Sequence, residues 1–299
     1  MKPGNLIRSL SIMAALIGAH AHAQAAATVQ VQEAWRTSAE LQQPESVVFD
    51  AKRNILYVSN VSGEPLGKDG QGFISRVSLD GKIVELRWIE GMNAPKGMAI
   101  HGDNLYVSDI DTLIEIDLDA GEISRRHPVS DARFLNDVAA DQAGNIYVSD
   151  MQTDTIYRLK DGRIESWLKD AALAGPNGLY AEGEHLVLGA WGAADEQAAK
   201  TPGHLKRIDL KTKRITSIGS GKPLGNLDGV EGDGQGNYFV TDWVAGTLLH
   251  VTGDGTANTL QVLAQGSADL EYIADRSLLI IPMMNDNRLL AFTVRETGR

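Results

Sequence analysis

Asn136-Asp-Val-Ala-Ala-Asp-Gln-Ala-Gly-Asn-Ile-Tyr-Val-Ser-Asp150 reads as a short apolar strand, a tight turn through Gly144-Asn145, and a second strand ending on Asp150. A polar turn and a third strand, Thr155-Ile-Tyr-Arg-Leu159, follow. The unit recurs along the chain. Pro44-Glu-Ser-Val-Val-Phe-Asp50 runs into Asn54-Ile-Leu-Tyr-Val-Ser-Asn60, and Lys96-Gly-Met-Ala-Ile100 into Asn104-Leu-Tyr-Val-Ser-Asp109. Pro176-Asn-Gly-Leu-Tyr180 precedes His185-Leu-Val-Leu188, and Asp228-Gly-Val230 precedes Gly236-Asn-Tyr-Phe-Val-Thr-Asp242. A worn sixth copy joins Asp269-Leu-Glu-Tyr-Ile273 to Ser277-Leu-Leu-Ile-Ile281. With Tyr57, Tyr106, Tyr147, Val187, Phe239 and Leu279 taken as equivalent, the intervals are 49, 41, 40, 52 and 40 residues. A period of this size with several short strands per repeat is the pattern of a β-propeller, so six repeats predict an all-β fold of six four-stranded antiparallel blades.

The sixth repeat supplies only three strands, at about 270–274, 278–283 and 288–294, while Thr28-Val-Gln-Val-Gln-Glu-Ala-Trp35 alternates like a strand ahead of the first repeat. The simplest closure makes this N-terminal segment the outermost strand of the last blade, which ties the termini together and removes an exposed edge. The equivalent aromatic or aliphatic residues of the second strands are expected to pack between blades rather than to touch a ligand.

Ahead of the repeats, Lys2 and Arg8 begin a charged segment, Leu10-Ser-Ile-Met-Ala-Ala-Leu-Ile-Gly-Ala19 is a short apolar run, and Ala21-His-Ala23 is a small-x-small cleavage signal. This pattern predicts a secretory signal peptide at 1–23 and a propeller domain at 24–299, exported to a periplasm or beyond. Loss of Lys2 and Arg8 moves the formal net charge from −11 to −13. So acidic a chain argues against nucleic acid and anionic membrane as partners and mildly favours a cation as ligand; it also serves solubility. The chain has no cysteine, which excludes disulfides, thiolate nucleophiles and Cys-based metal sites.

Two repeats are long, and both insertions follow the second strand, at 61–72 and 189–203. The expected strand directions bring both to one end of the ring, called here the upper face, where long loops on a rigid scaffold commonly shape a binding site. The position just before each innermost strand comes closest to the ring axis. Around the ring it holds Glu45, Lys96, Asn136, Asn177, Asp228 and Ala268. Four of the six are oxygen donors without sulfur or imidazole, a set that suits a hard divalent cation, Ca²⁺ first and then Mg²⁺ or Mn²⁺. The bland alternative is that such residues accept backbone hydrogen bonds in turns. Asp137 reads as a support behind the array, Asp150 as a strand-end turn residue, and Asp269 as a stand-in for Ala268. Lys96 either reaches an acidic substrate or packs its stem and sends its amine to solvent.

Pro44-Glu45, Arg133-Phe-Leu-Asn136-Asp137, Gly175-Pro-Asn177-Gly178 and Asn226-Leu-Asp228-Gly229 together resemble the senescence-marker-protein (regucalcin) and gluconolactonase group of six-bladed propellers, over roughly 40–294. The resemblance implies that Glu45, Asn177 and Asp228 bind a divalent ion and that Asn136 joins them or touches substrate. Ca²⁺ is then the expected cofactor, with Mg²⁺, Mn²⁺ or Zn²⁺ as other occupants. It also implies a substrate-contacting arginine at Arg133, which stands one residue further from the asparagine than the family pattern places it.

Together these features predict metal-dependent hydrolysis of a lactone or related ester, with Asp228 as the catalytic carboxylate. Arg133, Lys96 and Trp191 are the expected substrate contacts, and a lactone or acidic sugar derivative the expected ligand. Two further classes stand beside this one. The propeller binds a sugar or metabolite without turning it over, or it is a protein-interaction scaffold whose ion rigidifies the centre. No Gly-x-Ser-x-Gly elbow, Walker loop or dinucleotide fingerprint is present.

Overall fold

The computed structural model describes residues 28–193 and 201–297, together with Met1. The expected signal segment (Met1 apart) and the tip of the second long loop lie outside the described residues. Among the described residues no helix is long and apolar enough to cross a membrane.

Six four-stranded antiparallel sheets are arranged as blades, in chain order from the axis outward. The innermost strands are Pro44–Asp50, Pro95–His101, Leu135–Ala140, Pro176–Glu182, Leu227–Gly232 and Glu271–Ile273. Neighbouring innermost strands touch around the ring, and the sixth returns to the first. The last blade contains Glu271–Ile273, Leu278–Met283 and Arg288–Thr297, and Thr28–Arg36 is its fourth, outermost strand. That strand pairs antiparallel with Arg288–Thr297 from Thr28↔Thr297 to Arg36↔Leu290, with one bulge between Glu33 and Trp35. The closure expected from the alternation of Thr28–Trp35 is therefore present.

Burial follows the repeat. Tyr57, Tyr106, Tyr147, Val187, Phe239 and Leu279 are all buried. The core consists of a cluster at each interface between blades. Ile55, Tyr57 and Ile74 of the first blade pack on Met98, Leu105 and Val107 of the second, and the ring closes where Val47, Leu56 and Val58 meet Ile273, Ile280 and Leu289. A single blade has no apolar face it can bury alone, so burial at about 25 cal/mol per Å² accrues only as neighbours dock.

Each of the first five innermost strands breaks register at the same place, between Pro44 and Val47, Pro95 and Met98, Leu135 and Val138, Pro176 and Leu179, and Leu227 and Val230. The two residues inside each irregularity are Glu45-Ser46, Lys96-Gly97, Asn136-Asp137, Asn177-Gly178 and Asp228-Gly229. A bulge of this kind re-aims side chains away from the regular pleat. It turns the first residue of each pair to the upper end of the axis. The second residue is often glycine because the blades nearly touch there. A Cβ on Gly178 would sit 1.9 Å from the Asp228 carbonyl oxygen, and one on Gly97 2.3 Å from Oδ1 of Asp137.

The second long loop is shorter and more ordered at its base than expected. Strand His185–Ala190 continues through Gly189, and Gly192–Ala193 pairs with Thr201–Pro202 as a two-stranded arm. Backbone pairing rescues the first part of what reads as a loop, because Gly192 adopts a φ of +123° that a side chain would oppose.

Candidate metal and ligand site

At the upper end of the axis lies a cavity of about 140 Å³ lined by Glu45, Asn136, Asn177 and Asp228 at its floor. Lys96, Trp191, Phe134, Met151, Trp243 and Met284 line it as well, with Pro65 from the first long loop. The structure thus brings together all four expected oxygen donors, and Lys96 and Trp191 with them. Arg133 is exposed and does not line the cavity; Phe134 beside it does.

Two floor oxygens lack partners. Oε2 of Glu45 and Oδ1 of Asn177 are buried without a hydrogen bond, and among the six such side-chain atoms in the described residues they are the two pure acceptors. Nδ2 of Asn177 donates to the Leu227 carbonyl oxygen at 3.2 Å, which fixes the amide with its oxygen on the cavity side. Leaving such acceptors dry costs about 1–3 kcal/mol each. Burial, and then the charge of Asp228, push the Glu45 carboxyl well above its usual range. Burial and the charge of Asp269 do the same to Asp228, against a hydrogen bond from Asn177. Orphaned acceptors beside carboxyls with too little countercharge fit a hard cation, and the donor set of two carboxylates and two amides matches oxygen-ligated metals. Among the described residues no group of three or more His, Cys, Asp or Glu side chains is placed to hold a metal, so any ion here depends on the amides as well as the acids.

Lys96 lines the cavity, and its amine does not run out to solvent. It is 2% exposed, and its ammonium donates to the carbonyl oxygens of Ala94 at 2.8 Å and Pro65 at 3.0 Å while lying 4.8 Å from the centre of the Phe134 ring. Burial lowers its pKa to about 8, with Glu45 and Asp109 acting in the other direction. Its charge is spent on pinning the long loop over the cavity.

The neighbours of the floor residues are structural ties. Asp137 accepts from its own blade at Val138 N (2.7 Å) and from the next blade at Leu179 N (2.6 Å). Asp269 accepts from Ser46 Oγ at 2.6 Å and Leu270 N at 2.8 Å, and neither acid lines the upper cavity. Both instead line a second axial cavity of about 180 Å³ towards the opposite face, with Glu231 and Glu271. Asp150 is a turn residue as expected, accepting from Arg133 N at 2.8 Å and Phe134 N at 3.1 Å. Ala268 is buried and contributes no side-chain donor.

Apart from Trp191, one set of wall residues escapes a reading focused on polar positions. The residue immediately after the second strand is Val61, Ile110, Met151, Trp191, Trp243 or Met284, apolar in every blade. Val61 and Ile110 are fully packed, in a small cluster that Met284 also joins. The four bulkier members are half-buried and line the cavity. Aligning the repeats on the ends of their second strands would have exposed this collar.

The comparisons with known proteins agree with this architecture. The family model for the SMP-30/Gluconolactonase/LRE-like region matches residues 43–264. No curated protein matches the chain. Among solved structures, the chain is similar to a virginiamycin B lyase from Staphylococcus aureus at 15% identity and a TM-score of 0.60, covering 89% of this chain and 99% of that one. A calcium-binding regucalcin from Agrobacterium tumefaciens aligns at 14% identity and 0.61, over 89% and 96% of the two chains. An auxiliary nutrient binding protein from Bacteroides ovatus aligns at 12% identity and 0.65, over 85% and 70%. At these identities the three structures show a shared fold, and the family match, which spans most of the chain from the first blade into the fifth, makes this protein a member of the SMP-30/gluconolactonase/LRE-like family.

Proposed function

We propose that the upper cavity binds a divalent cation, Ca²⁺ before Mg²⁺ or Mn²⁺, and holds a small molecule beside it. The observation that carries this reading is the pair of buried, unpartnered acceptors, Oε2 of Glu45 and Oδ1 of Asn177, in one cavity with Asp228 and Asn136. Glu45 and Asp228 would supply the two negative charges and Asn136 and Asn177 neutral oxygens. An open, partly apolar space above these donors favours a small ligand over a scaffold role, in which the mouth would be filled.

A second reading adds turnover, namely hydrolysis of a lactone or related ester. It is favoured by family membership and by the place of Asp228, a carboxylate at the floor of a space large enough for a reacting group. A bound divalent ion supplies Lewis-acid polarisation of a carbonyl and countercharge for a developing oxyanion. Asp228 would orient a water and take its proton, Asn177 would hold Asp228 through the amide hydrogen bond, and the collar would keep bulk water out.

Calorimetric titration of chelator-stripped protein with Ca²⁺, beside a hydrolysis panel of lactones and aryl esters, tests both readings. Binding is expected at one site and is expected to weaken strongly in Glu45→Gln. Absence of binding heat in the parent overturns the cation reading. If Asp228→Asn keeps the ion but loses turnover, the hydrolase reading stands. A parent that binds Ca²⁺ and hydrolyses nothing leaves the binding role as the function.

A further inference from the structure

We infer that this cavity selects an uncharged ligand with an aryl or compact alkyl portion, and discriminates against polyhydroxylated and anionic sugar derivatives. The inference rests on the small-molecule reading above and names the class of molecule.

Polarity in the cavity is segregated. Oxygen donors occupy the floor, whereas Phe134, Met151, Trp191, Trp243 and Met284 form the wall. A sugar lactone carries hydroxyls around its ring, and each hydroxyl facing this wall would lose its water without gaining a partner. An aryl or alkyl group instead removes its own surface and that of the half-buried collar from water. Trp191 and Trp243 pack against each other, ring centres 6.1 Å apart and planes tilted by 51°, and so present one continuous apolar stretch of wall to it. An apolar cavity of about 150 Å³ accepts a benzene-sized guest, which is close to the 140 Å³ found here. A neighbouring cleft of about 350 Å³ shares Met151 and Trp191 and is lined beyond them by Gln152, Asp154 and Asn226, giving the rest of a longer ligand a polar exit.

Charge points the same way. Lys96 is the sole cation among the described lining residues, and its ammonium is bound to the Ala94 and Pro65 carbonyls. Arg133 stands outside on the surface. With the two floor carboxylates balanced by one divalent cation, an anionic ligand adds a net negative charge that no unengaged cationic side chain among the described lining residues offsets.

The test uses non-hydrolysable probes, so binding is read without turnover: α-tetralone for the apolar class, myo-inositol for the polyhydroxylated class and gluconate for the anionic one. Calorimetry and tryptophan fluorescence on the Ca²⁺-equilibrated full chain should show α-tetralone binding at least roughly tenfold tighter than either of the others. Trp243→Ala should weaken α-tetralone by roughly tenfold, with Ca²⁺ affinity within about twofold of the parent. Met151→Gln, which keeps volume but makes the wall polar, serves as the second variant and should weaken α-tetralone in the same sense. The inference is overturned if inositol or gluconate binds as tightly as α-tetralone, if no probe binds, or if both variants bind α-tetralone like the parent. The Ca²⁺ titration is scored separately. A missing cation site with intact α-tetralone selectivity defeats the metal reading and leaves this one standing.

Discussion

Nδ2 of Asn177 in the fourth blade donates to the carbonyl oxygen of Leu227 in the fifth, at 3.2 Å, and so points Oδ1 of the same amide into the axial cavity with no partner. The bond leaves the amide no freedom to flip and hide its oxygen. In a protein interior such an unpaired acceptor is a standing cost unless something cationic or protic meets it.

Asn177→Ala removes both the fixed oxygen and the bond that fixes it. Its Ca²⁺ affinity should fall by roughly tenfold or more, while its melting temperature in chelator should change little, because a lost hydrogen bond of about 1 kcal/mol is offset by relief of the dry acceptor. Calorimetry and melting curves with and without chelator check both halves. Unchanged Ca²⁺ affinity would remove the amide from the ligand set.

Lys96→Met keeps the buried stem and deletes the ammonium. Glu45 would then lose its nearest competing cation, so Ca²⁺ should bind more tightly, by roughly tenfold. The first long loop loses the bond that reaches Pro65 and should become easier to cleave in limited proteolysis. Weaker Ca²⁺ binding in this variant would show instead that the loop holds the floor residues in place.

Deleting residues 28–36 exposes the edge of Arg288–Thr297, removes Val29 and Val31, and uncovers the cluster they pack against, Phe292 and Val294 included. The truncated chain should aggregate or melt without cooperativity. A melting transition like that of the parent would mean that the ring holds without its fourth strand.

Glu271 provides a pH test away from the proposed ligands. Burial, and then the charge of Asp269, raise its pKa to about 8, against a hydrogen bond from Phe49 N. The folded state therefore holds a proton that the unfolded chain releases near pH 4.5. The stability this contributes is complete below that pH and is lost as pH rises through about 8. Glu271→Gln should flatten the fall and melt higher than the parent at pH 9, on the order of 5 °C. Parallel stability–pH curves for parent and variant would count against a buried proton on Glu271.

The blades, their buried second-strand residues and the closing strand were readable in the sequence because each is fixed by period and alternation, which survive in a single chain. The donor array was readable for the same reason. Glu45, Asn136, Asn177 and Asp228 occupy one place in the repeat, and the bulge that aims them recurs with it. Lys96 sits at that same place, yet its course was not readable. It depends on the Pro65 carbonyl, delivered by an insertion whose sequence the repeat does not define. Arg133 is the opposite case. It lies in a repeat-defined stretch, but its backbone N–H is held by Asp150 and Phe134, not Arg133, takes the place in the wall. The collar was hidden because Met151 or Met284 alone reads as an ordinary loop residue.

The seam between Thr28 and Thr297 joins residues 269 positions apart. That makes it a matter of time as well as of stability. The first five blades can assemble as their strands emerge, whereas Thr28–Arg36 must wait, unpaired, for the last strand of the chain. Pairing so remote in sequence pays its loop-closure entropy late and slows the final step. Once made, it acts as a clasp: no blade can peel away from an end, since the ring has none. Opening must begin by pulling nine residues of Thr28–Arg36 off their neighbour, so the lifetime of the folded protein is governed at the seam, far from the axis where its chemistry is proposed to lie.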